Sequence, residues 1–383
     1  MAIAAPARGG SVGVTEKGPI RHLDPVLILT TIGLSIYGLL MVYSSTRRSL
    51  EQLGTDPGFY VKKQVAYLFL GVIALIVVAS FDYRLVKVYA PFFFGGVLFF
   101  LLIVMIPFIG TSTAGAQRWI TIFGFQFQPS ELAKLALVAM LAAYLSEVKG
   151  ELTLRDVMRS AGLAALPMGL VFLQPDVGTT MVFAAILVGL LLVAGARARH
   201  LAILALAAAI AVAGAFQTGL VKDYQIARLI GLFDTKADPL RAGYNKKQSE
   251  IAIGNGGVTG QGYLKGTQTN LDFVPEQHTD FIFTVVGEEF GFVGAMILLL
   301  LFALLLWRGF RVALLSKDPF GTYLATGIVT MLAFQSFVNI GMTLGIMPIT
   351  GIPLPFLSYG GSALITDFIA VGLLLNVHMR RFK

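Results

Sequence analysis

The chain has 383 residues, of which 56% are hydrophobic and 13% charged, with a mean hydropathy of +0.79. No water-soluble domain of that length presents such a composition to solvent, so the chain reads as an all-α, polytopic integral membrane protein. The net charge of +8 sits in short basic runs between apolar stretches, which reads as topology signalling and argues against nucleic acid as a partner, and the absence of cysteine excludes disulfides, thiolate catalysis and thiol metal sites.

Residues 1–22 are Gly/Ala/Pro-rich with scattered charges and no apolar core, so they read as a disordered cytoplasmic tail and not as a signal peptide. Residues 23–383 read as a single transmembrane domain. A helix needs about 20 mostly apolar residues to cross the hydrocarbon, and by that rule the chain makes about ten crossings. They fall at roughly 24–44, 60–80, 88–108, 129–146, 157–173, 178–195, 200–218, 281–307, 319–345 and 360–378.

An even number of crossings puts both termini on one side. With the tail inside, the inner segments hold Arg84, Lys87, Lys149, Arg155, Arg159, Arg197, Arg199, Arg308, Arg311, Lys317, Arg380, Arg381 and Lys383. Arg47, Arg48, Lys62 and Lys63 go against this, but the balance predicts N-in and C-in. Three polar connections then lie outside: 109–128, 219–279 and 345–359. The middle one, about 60 residues, is too long to be a mere connector and is the expected seat of chemistry. Within it, Pro239 to Ile253 alternates apolar and basic residues as an interfacial helix would, and the glycine-rich stretch from Gly254 to Gly262 reads as a turn-rich loop over the membrane.

Four stretches combine polar residues with membrane depth. In the first, Arg118-Trp119 precedes Gln128-Pro-Ser-Glu-Leu-Ala-Lys134, where Glu131 and Lys134 are three apart on one helix face and can pair, either at a working site or as a structural lock. In the second, Gln174-Pro-Asp-Val-Gly178 is a proline-broken turn in which Asp176 reads as a helix N-cap. The third is Pro275-Glu-Gln-His-Thr-Asp-Phe-Ile-Phe283. Asp280 sits where the chain re-enters the membrane, so it either caps the helix or serves as a base, with Phe281 and Phe283 desolvating it and His278 tuning it or stacking. Deeper in that crossing, Glu288 and Glu289 need partners or a water-filled cavity. The fourth runs from Asn339 through Pro348 to Ser362, where three prolines and repeated glycines put irregular backbone at membrane depth, as a cavity wall does.

Taken in order, these motifs, with Gln248-Ser-Glu-Ile-Ala-Ile-Gly254 and Pro353-Leu-Pro-Phe-Leu-Ser-Tyr-Gly-Gly361, resemble the SEDS family (shape, elongation, division and sporulation) over nearly the whole chain. The resemblance implies a bacterial ten-helix protein of the cytoplasmic (inner) membrane, with its active site facing outside. It also implies a peptidoglycan glycosyltransferase that polymerises undecaprenyl-diphosphate-linked lipid II beside a class B penicillin-binding protein. In that family the Asp of the His-Thr-Asp motif and the Trp after the Arg matter for activity, which here are Asp280 and Trp119. The Gln-His form of the long-loop motif and the ending Gly372 to Asn376 resemble the elongation branch more than the division branch. The lysines of Asn245-Lys-Lys247 depart from the family pattern.

Converting an α-linked diphosphate donor into a β-1,4 glycan calls for one in-line inversion. The diphosphate leaves without a general acid, whereas the acceptor hydroxyl needs a base, so one carboxylate is enough. The expected set is Asp280 as base, with Trp119, Arg118, Glu131, Lys134, Arg241, His278 and Ser358 around the substrate. Arg118, Lys134 or Arg241 would screen the diphosphate; no organic cofactor is implied, and a divalent cation remains an option. Two other classes compete: a lipid II transporter, against which the lack of an inverted repeat argues, and a scaffold that recruits a cell-wall enzyme.

Overall fold

A computed structural model of the chain describes residues 22–106, 110–113, 116–122, 125–217 and 242–381. Among these, the chain runs α1 (Pro25–Gln52), α2 (Phe59–Ser80), α3 (Tyr83–Ile103), three short strands β1 (Gly110–Thr113), β2 (Ala116–Ile122) and β3 (Phe125–Phe127), then α4 (Pro129–Glu147), α5 (Leu154–Leu173), α6 (Val177–Val193) and α7 (Ala198–Gln217). It resumes with α8 (Ala242–Gly256), the single turn α9 (Thr267–Asn270), α10 (Ile282–Leu314), α11 (Pro319–Thr343) and α12 (Gly361–Arg380). Among the described residues nine helices are long and apolar enough to cross a membrane, and α6, at 17 residues, is a shorter apolar tenth.

The central helices are α4, α11 and α12, buried around most of their surface, while α2, α3 and α7 present apolar side chains outward. Lipid is as apolar as leucine, so close backbone approach and not hydrophobic burial must hold such a bundle together. Glycines supply that approach. Gly327 on α11 faces Val138 on α4, Gly189 on α6 faces Thr330 on α11, and Gly372 on α12 lies against the Leu75 backbone of α2. A Cβ on Gly189 would come within 2.6 Å of the Thr330 hydroxyl.

Element limits differ from the expected ones where a polar cap lies outside the apolar run. α3 begins at Tyr83, not 88, because Asp82 caps it through the Arg84 amide and the Asn376 side chain holds the preceding turn at Val78 and Phe81. α1 continues two turns beyond its apolar stretch to Gln52, supported by an Arg47–Glu51 pair at 2.7 Å. The connection before α4 is not the plain loop expected of an all-α chain. It holds a three-stranded antiparallel sheet, order β1-β2-β3, with Trp119 opposite Thr111 and Ile120 opposite Phe127.

α8 also corrects the reading of the glycine-rich stretch, because the helix runs through Gly254 to Gly256 instead of ending before them. Packing overrides helix propensity here: a Cβ on Gly256 would sit 1.9 Å from the Gly287 carbonyl of α10. The rest of the stretch stitches a break in α10, where Gly291 adopts φ 61°, ψ −156°. The amides of Gln261 and Gly262 bond the Glu288 and Glu289 carbonyls, and the amides of Phe292 and Val293 bond the Gly257 and Val258 carbonyls, all at 2.9 to 3.0 Å. The broken helix thus leaves none of these four groups unsatisfied, as hydrocarbon depth requires. Gly291→Ala would force a side chain into a left-handed position and within 2.4 Å of the Gly260 amide. The expected result is a lower melting temperature, equivalent to about 2 kcal/mol or more. Size-exclusion-monitored thermal unfolding in detergent reads it, and an unchanged midpoint would refute this account.

The two faces of the bundle are marked by its ends. α1 starts at Asp24, which bonds Arg308 near the end of α10 and lies 3.9 Å from His378 near the end of α12, so the start of α1 and the ends of α10 and α12 lie at one face. Asp280, before α10, and Tyr359, before α12, lie at the other.

Candidate active site

Asp280 follows a turn that is wound tightly by its own backbone. The amides of Thr279 and Phe281 both bond the Glu276 carbonyl at 3.2 Å, and Glu276 sits at φ 53°. Gln277, buried, clamps the turn by donating to the carbonyls of Ser45 and Thr269 and to the Asp272 carboxylate. Beneath it, Ala252, Val274 and Phe281 form a small apolar cluster with Ile349. The N-cap position of α10 is occupied by Phe281, so Asp280 lies one residue before the cap.

Two segments far apart in sequence are fastened to this turn. The buried Asn339 side chain on α11 donates to the Asp280 carbonyl at 2.8 Å and to the Ile352 carbonyl at 2.7 Å, tying the turn to the Pro/Gly-rich connection after α11. That connection passes close to the Asp280 carboxylate: a Cβ on Gly351, which has φ 72°, would lie 3.2 Å from Oδ2. Ser358 is buried; its hydroxyl donates to the Thr279 carbonyl at 2.5 Å and accepts from the Leu354 amide at 2.8 Å. The Tyr359 amide bonds the His278 carbonyl at 2.9 Å, and Gln64 of α2 holds both Ser358 and Gly360. Asn339→Ala should therefore loosen Asp280 without removing any titratable group. The expected outcome is about a tenfold fall in kcat with KM little changed, since misplacing a reacting group costs rate before binding. A rise in KM alone would contradict it.

The remaining motifs surround this turn as supports. Arg118 on β2 donates to the carbonyls of Gln174 and Pro175 and lies 3.8 Å from Asp176. Asp176 caps α6 through the Thr179 amide, as expected, and Gly178 abuts the Thr350 carbonyl of the connection that faces Asp280. Successive strand residues point to opposite faces, so Trp119, half-buried, projects away from the Arg118 side. Glu131 and Lys134 form a buried pair at 2.7 Å, each side chain at most 3% exposed. Ser358, Glu131 and Lys134, expected around the substrate, are buried with internal partners, and Arg118 donates its guanidinium to the α5–α6 turn. Arg241 and the rest of residues 219–241 of the long connection lie outside the described residues.

His278 packs at a tilt against Tyr60 and Tyr359, which also touch each other, with ring centroids 5.1 and 5.8 Å away. Burial lowers its pKa below the ordinary value, against the opposing pull of Glu276 and Asp272, so the ring is neutral at pH 7. Between the folded and ordinary values the unfolded chain binds more protons, and stability falls as pH drops through that window. His278→Phe should keep the ring packing and remove this acid-side loss, seen as a flatter melting temperature between about pH 7 and about pH 5.5; an unchanged slope would rule it out.

The acids deeper in α10 are buried, and Glu289 Oε2 has no hydrogen-bond partner among the described residues. Glu288 accepts from Thr267, Gln268 and Thr269, capping α9 from outside the helix, and Glu289 accepts from the Ser44 hydroxyl. Among the described residues, no cluster of three His, Asp or Glu side chains suits a metal ion.

Against known proteins, residues 25–383 match the family described as cell cycle protein, FtsW/RodA/SpoVE. The chain is 40% identical over 369 residues to a probable peptidoglycan glycosyltransferase FtsW of Geobacter metallireducens, covering 94% of this chain and 96% of that protein. It is 38% identical over 362 residues to the peptidoglycan glycosyltransferase MrdB of Escherichia coli, covering 94% of each. Among solved structures, it resembles a chain of a peptidoglycan synthase complex that coordinates polymerization and crosslinking, with a TM-score of 0.78, 32% identity and coverage of 94% and 99%. It also resembles the rod shape determining protein RodA of Thermus thermophilus, with a TM-score of 0.69, 30% identity and coverage of 94% and 98%.

Proposed function

The chain belongs to the FtsW/RodA/SpoVE family and is a multi-pass membrane peptidoglycan glycosyltransferase, and we propose that Asp280 is the general base of its polymerisation reaction. The observation that carries this is the placement of the Asp280 carboxylate against Gly351, in a turn pinned to the Pro/Gly-rich connection by Asn339. A base that takes a proton in the transition state needs a fixed position before it needs a shifted pKa. In this reading the Asp280 carboxylate takes the proton of the acceptor sugar hydroxyl as its oxygen attacks the anomeric carbon of the donor, and undecaprenyl diphosphate leaves with the electron pair of the broken bond. Configuration inverts in that one step, so no second carboxylate is required.

The leaving diphosphate still needs cationic screening. Arg118 and Lys134 are already committed to protein partners, which makes Arg241 the cation to test first. Trp119 supplies an apolar wall for a sugar or prenyl carbon chain. The substrate is lipid II, the site faces outside with both termini in the cytoplasm, and the membrane is the cytoplasmic one. The partner is a class B penicillin-binding protein that cross-links the product; the similarity to a chain of a complex that coordinates both activities supports a penicillin-binding partner.

Relatives of the division and elongation branches match the chain almost equally, at 40% and 38% identity, and we assign it to elongation and rod-shape maintenance on the Gln277-His278 pair and the Gly372 to Asn376 ending. Purified protein in detergent micelles with lipid II tests the enzymatic reading. Glycan polymer is expected without any sealed vesicle, whereas a transporter would need two compartments and a scaffold would make nothing, so absence of polymer would overturn it.

A further inference from the structure

Five aromatic rings from four segments meet beside the turn that carries Asp280. Between ring centroids, Tyr60 on the first turn of α2 lies 5.1 Å from His278 and 4.9 Å from Tyr359, Tyr359 lies 6.3 Å from Tyr67, and Tyr67 lies 5.5 Å from Phe125 of β3. We propose that Tyr60, His278 and Tyr359 form the platform on which the acceptor sugar of lipid II stacks, with its hydroxyl turned to Asp280.

Placement on α2 is the first argument. Tyr60, Gln64, Tyr67 and Gly71 recur every three or four residues and so share one helix face. That face is turned into the protein: Gln64 is buried against Ser358 and Gly360, and a Cβ on Gly71 would meet the Phe368 ring of α12 at 2.9 Å. The lipid side is the opposite one, where Phe69 is 64% and Ile76 57% exposed. Tyrosines that only anchor a helix at the headgroup level belong on that lipid side. Tyr60 and Tyr67 are on the inner face, and both are only half-buried, so ring surface stays open there.

Ring geometry is the second. Among the described residues the contacts within the group are tilted or edge-on, with interplanar angles of 42° to 85°, so no ring covers the whole face of its neighbour. Open aromatic faces with polar rims suit a ligand that is itself apolar on its faces and polar at its edge. A pyranose with equatorial substituents is such a ligand: its C–H bonds point to the two faces and its hydroxyls to the rim. Stacking fixes the plane of the sugar and leaves a rim hydroxyl accessible to a base.

The frame that holds the rings also holds the carboxylate. The Tyr359 amide bonds the His278 carbonyl, and Asp280 follows His278 by two residues, which keeps their Cα atoms within about 7 Å. Neither His278 nor Tyr359 can shift without moving the turn. The proposal rests on the reading of Asp280 as base for the choice of acceptor over donor; the stacking of a sugar does not depend on it.

The test uses the full-length protein in nanodiscs. In the Asp280→Asn background, Tyr60→Leu should weaken binding of lipid II about tenfold and leave binding of undecaprenyl phosphate, which has no sugar, unchanged. With Asp280 intact, Tyr60→Leu should raise KM about tenfold at nearly constant kcat, because a stacked ring is held alike in the ground and transition states. Tyr60→Phe should restore the wild-type KM, and Phe69→Leu, on the lipid side of the same helix, should change nothing. Equal weakening of undecaprenyl phosphate would assign the rings to the lipid chain and overturn the proposal, as would unchanged lipid II binding or a lower melting temperature with KM unmoved. If Tyr60→Leu does not accumulate, Tyr60→Trp serves: the emission of the added tryptophan must shift with lipid II and not with undecaprenyl phosphate, and an unchanged emission refutes the platform. Polymer made by Asp280→Asn would remove the base while the Tyr60 contrast in KM remained, so the two readings fail separately.

Discussion

Asp280→Asn should leave a folded, membrane-inserted protein that makes no measurable glycan from lipid II. The substitution keeps the backbone carbonyl that Asn339 grips and nearly the same side-chain volume beside Gly351, and it removes no N-cap, because Phe281 occupies that position. What it removes is the basic oxygen. A positioned general base is worth about 10² to 10⁴ in rate, and with no second carboxylate required by an inverting mechanism nothing in the proposed site would replace it. The drop should appear in kcat, with lipid II binding little changed, because the acceptor hydroxyl can still donate to or accept from an amide. Gel analysis of polymer from purified protein measures it beside the melting temperature of the same preparation. Retention of most activity would remove Asp280 from the role of base, and loss of folding would mean that its carboxylate serves the structure.

The crossings were legible because hydrocarbon thickness imposes a length that few other constraints produce, and each expected span overlaps an observed helix. Their ends were not, since a cap such as Asp82 or a polar extension such as the last two turns of α1 carries no hydropathy signal. The small sheet escaped because its strands are three to seven residues long and their pairing is set by neighbours in the connection. The site divides in the same way. Asp280 announced itself as an acid at a helix mouth, whereas Asn339 became informative only once its amide was seen to bridge two carbonyls 13 residues and 59 residues away in sequence. A signal for it existed: an amide side chain in an apolar helix must find partners, and the rule that flagged Glu288 and Glu289 applies to Asn339 and to Asp367 with equal force.

Asp367 changes what the buried pair on α4 is expected to do. Its carboxylate accepts from the amide of Phe356, which is held at φ 64° in the connection that reaches Gly351, and the charges acting on it are those of Lys134 and Glu131. Lys134 pairs with Glu131 and its charge also acts on Asp367, so Lys134→Met would leave Glu131 unpaired and remove that attraction from Asp367. Breaking a buried ion pair by removing one partner costs about 3–5 kcal/mol, because the surviving charge is left without compensation. For Lys134→Met the expected result is a large fall in folded yield and melting temperature in detergent. Glu131→Gln should cost less, since the lysine keeps the attraction of Asp367. The double variant should resemble Lys134→Met alone, as residues acting through one shared partner are not additive. Polymerisation per folded molecule separates support from chemistry: if these residues act only by holding the connection over Asp280, the Glu131→Gln enzyme that survives should retain most of its rate. A Glu131→Gln protein that is fully stable yet inactive would place Glu131 in contact with the substrate after all.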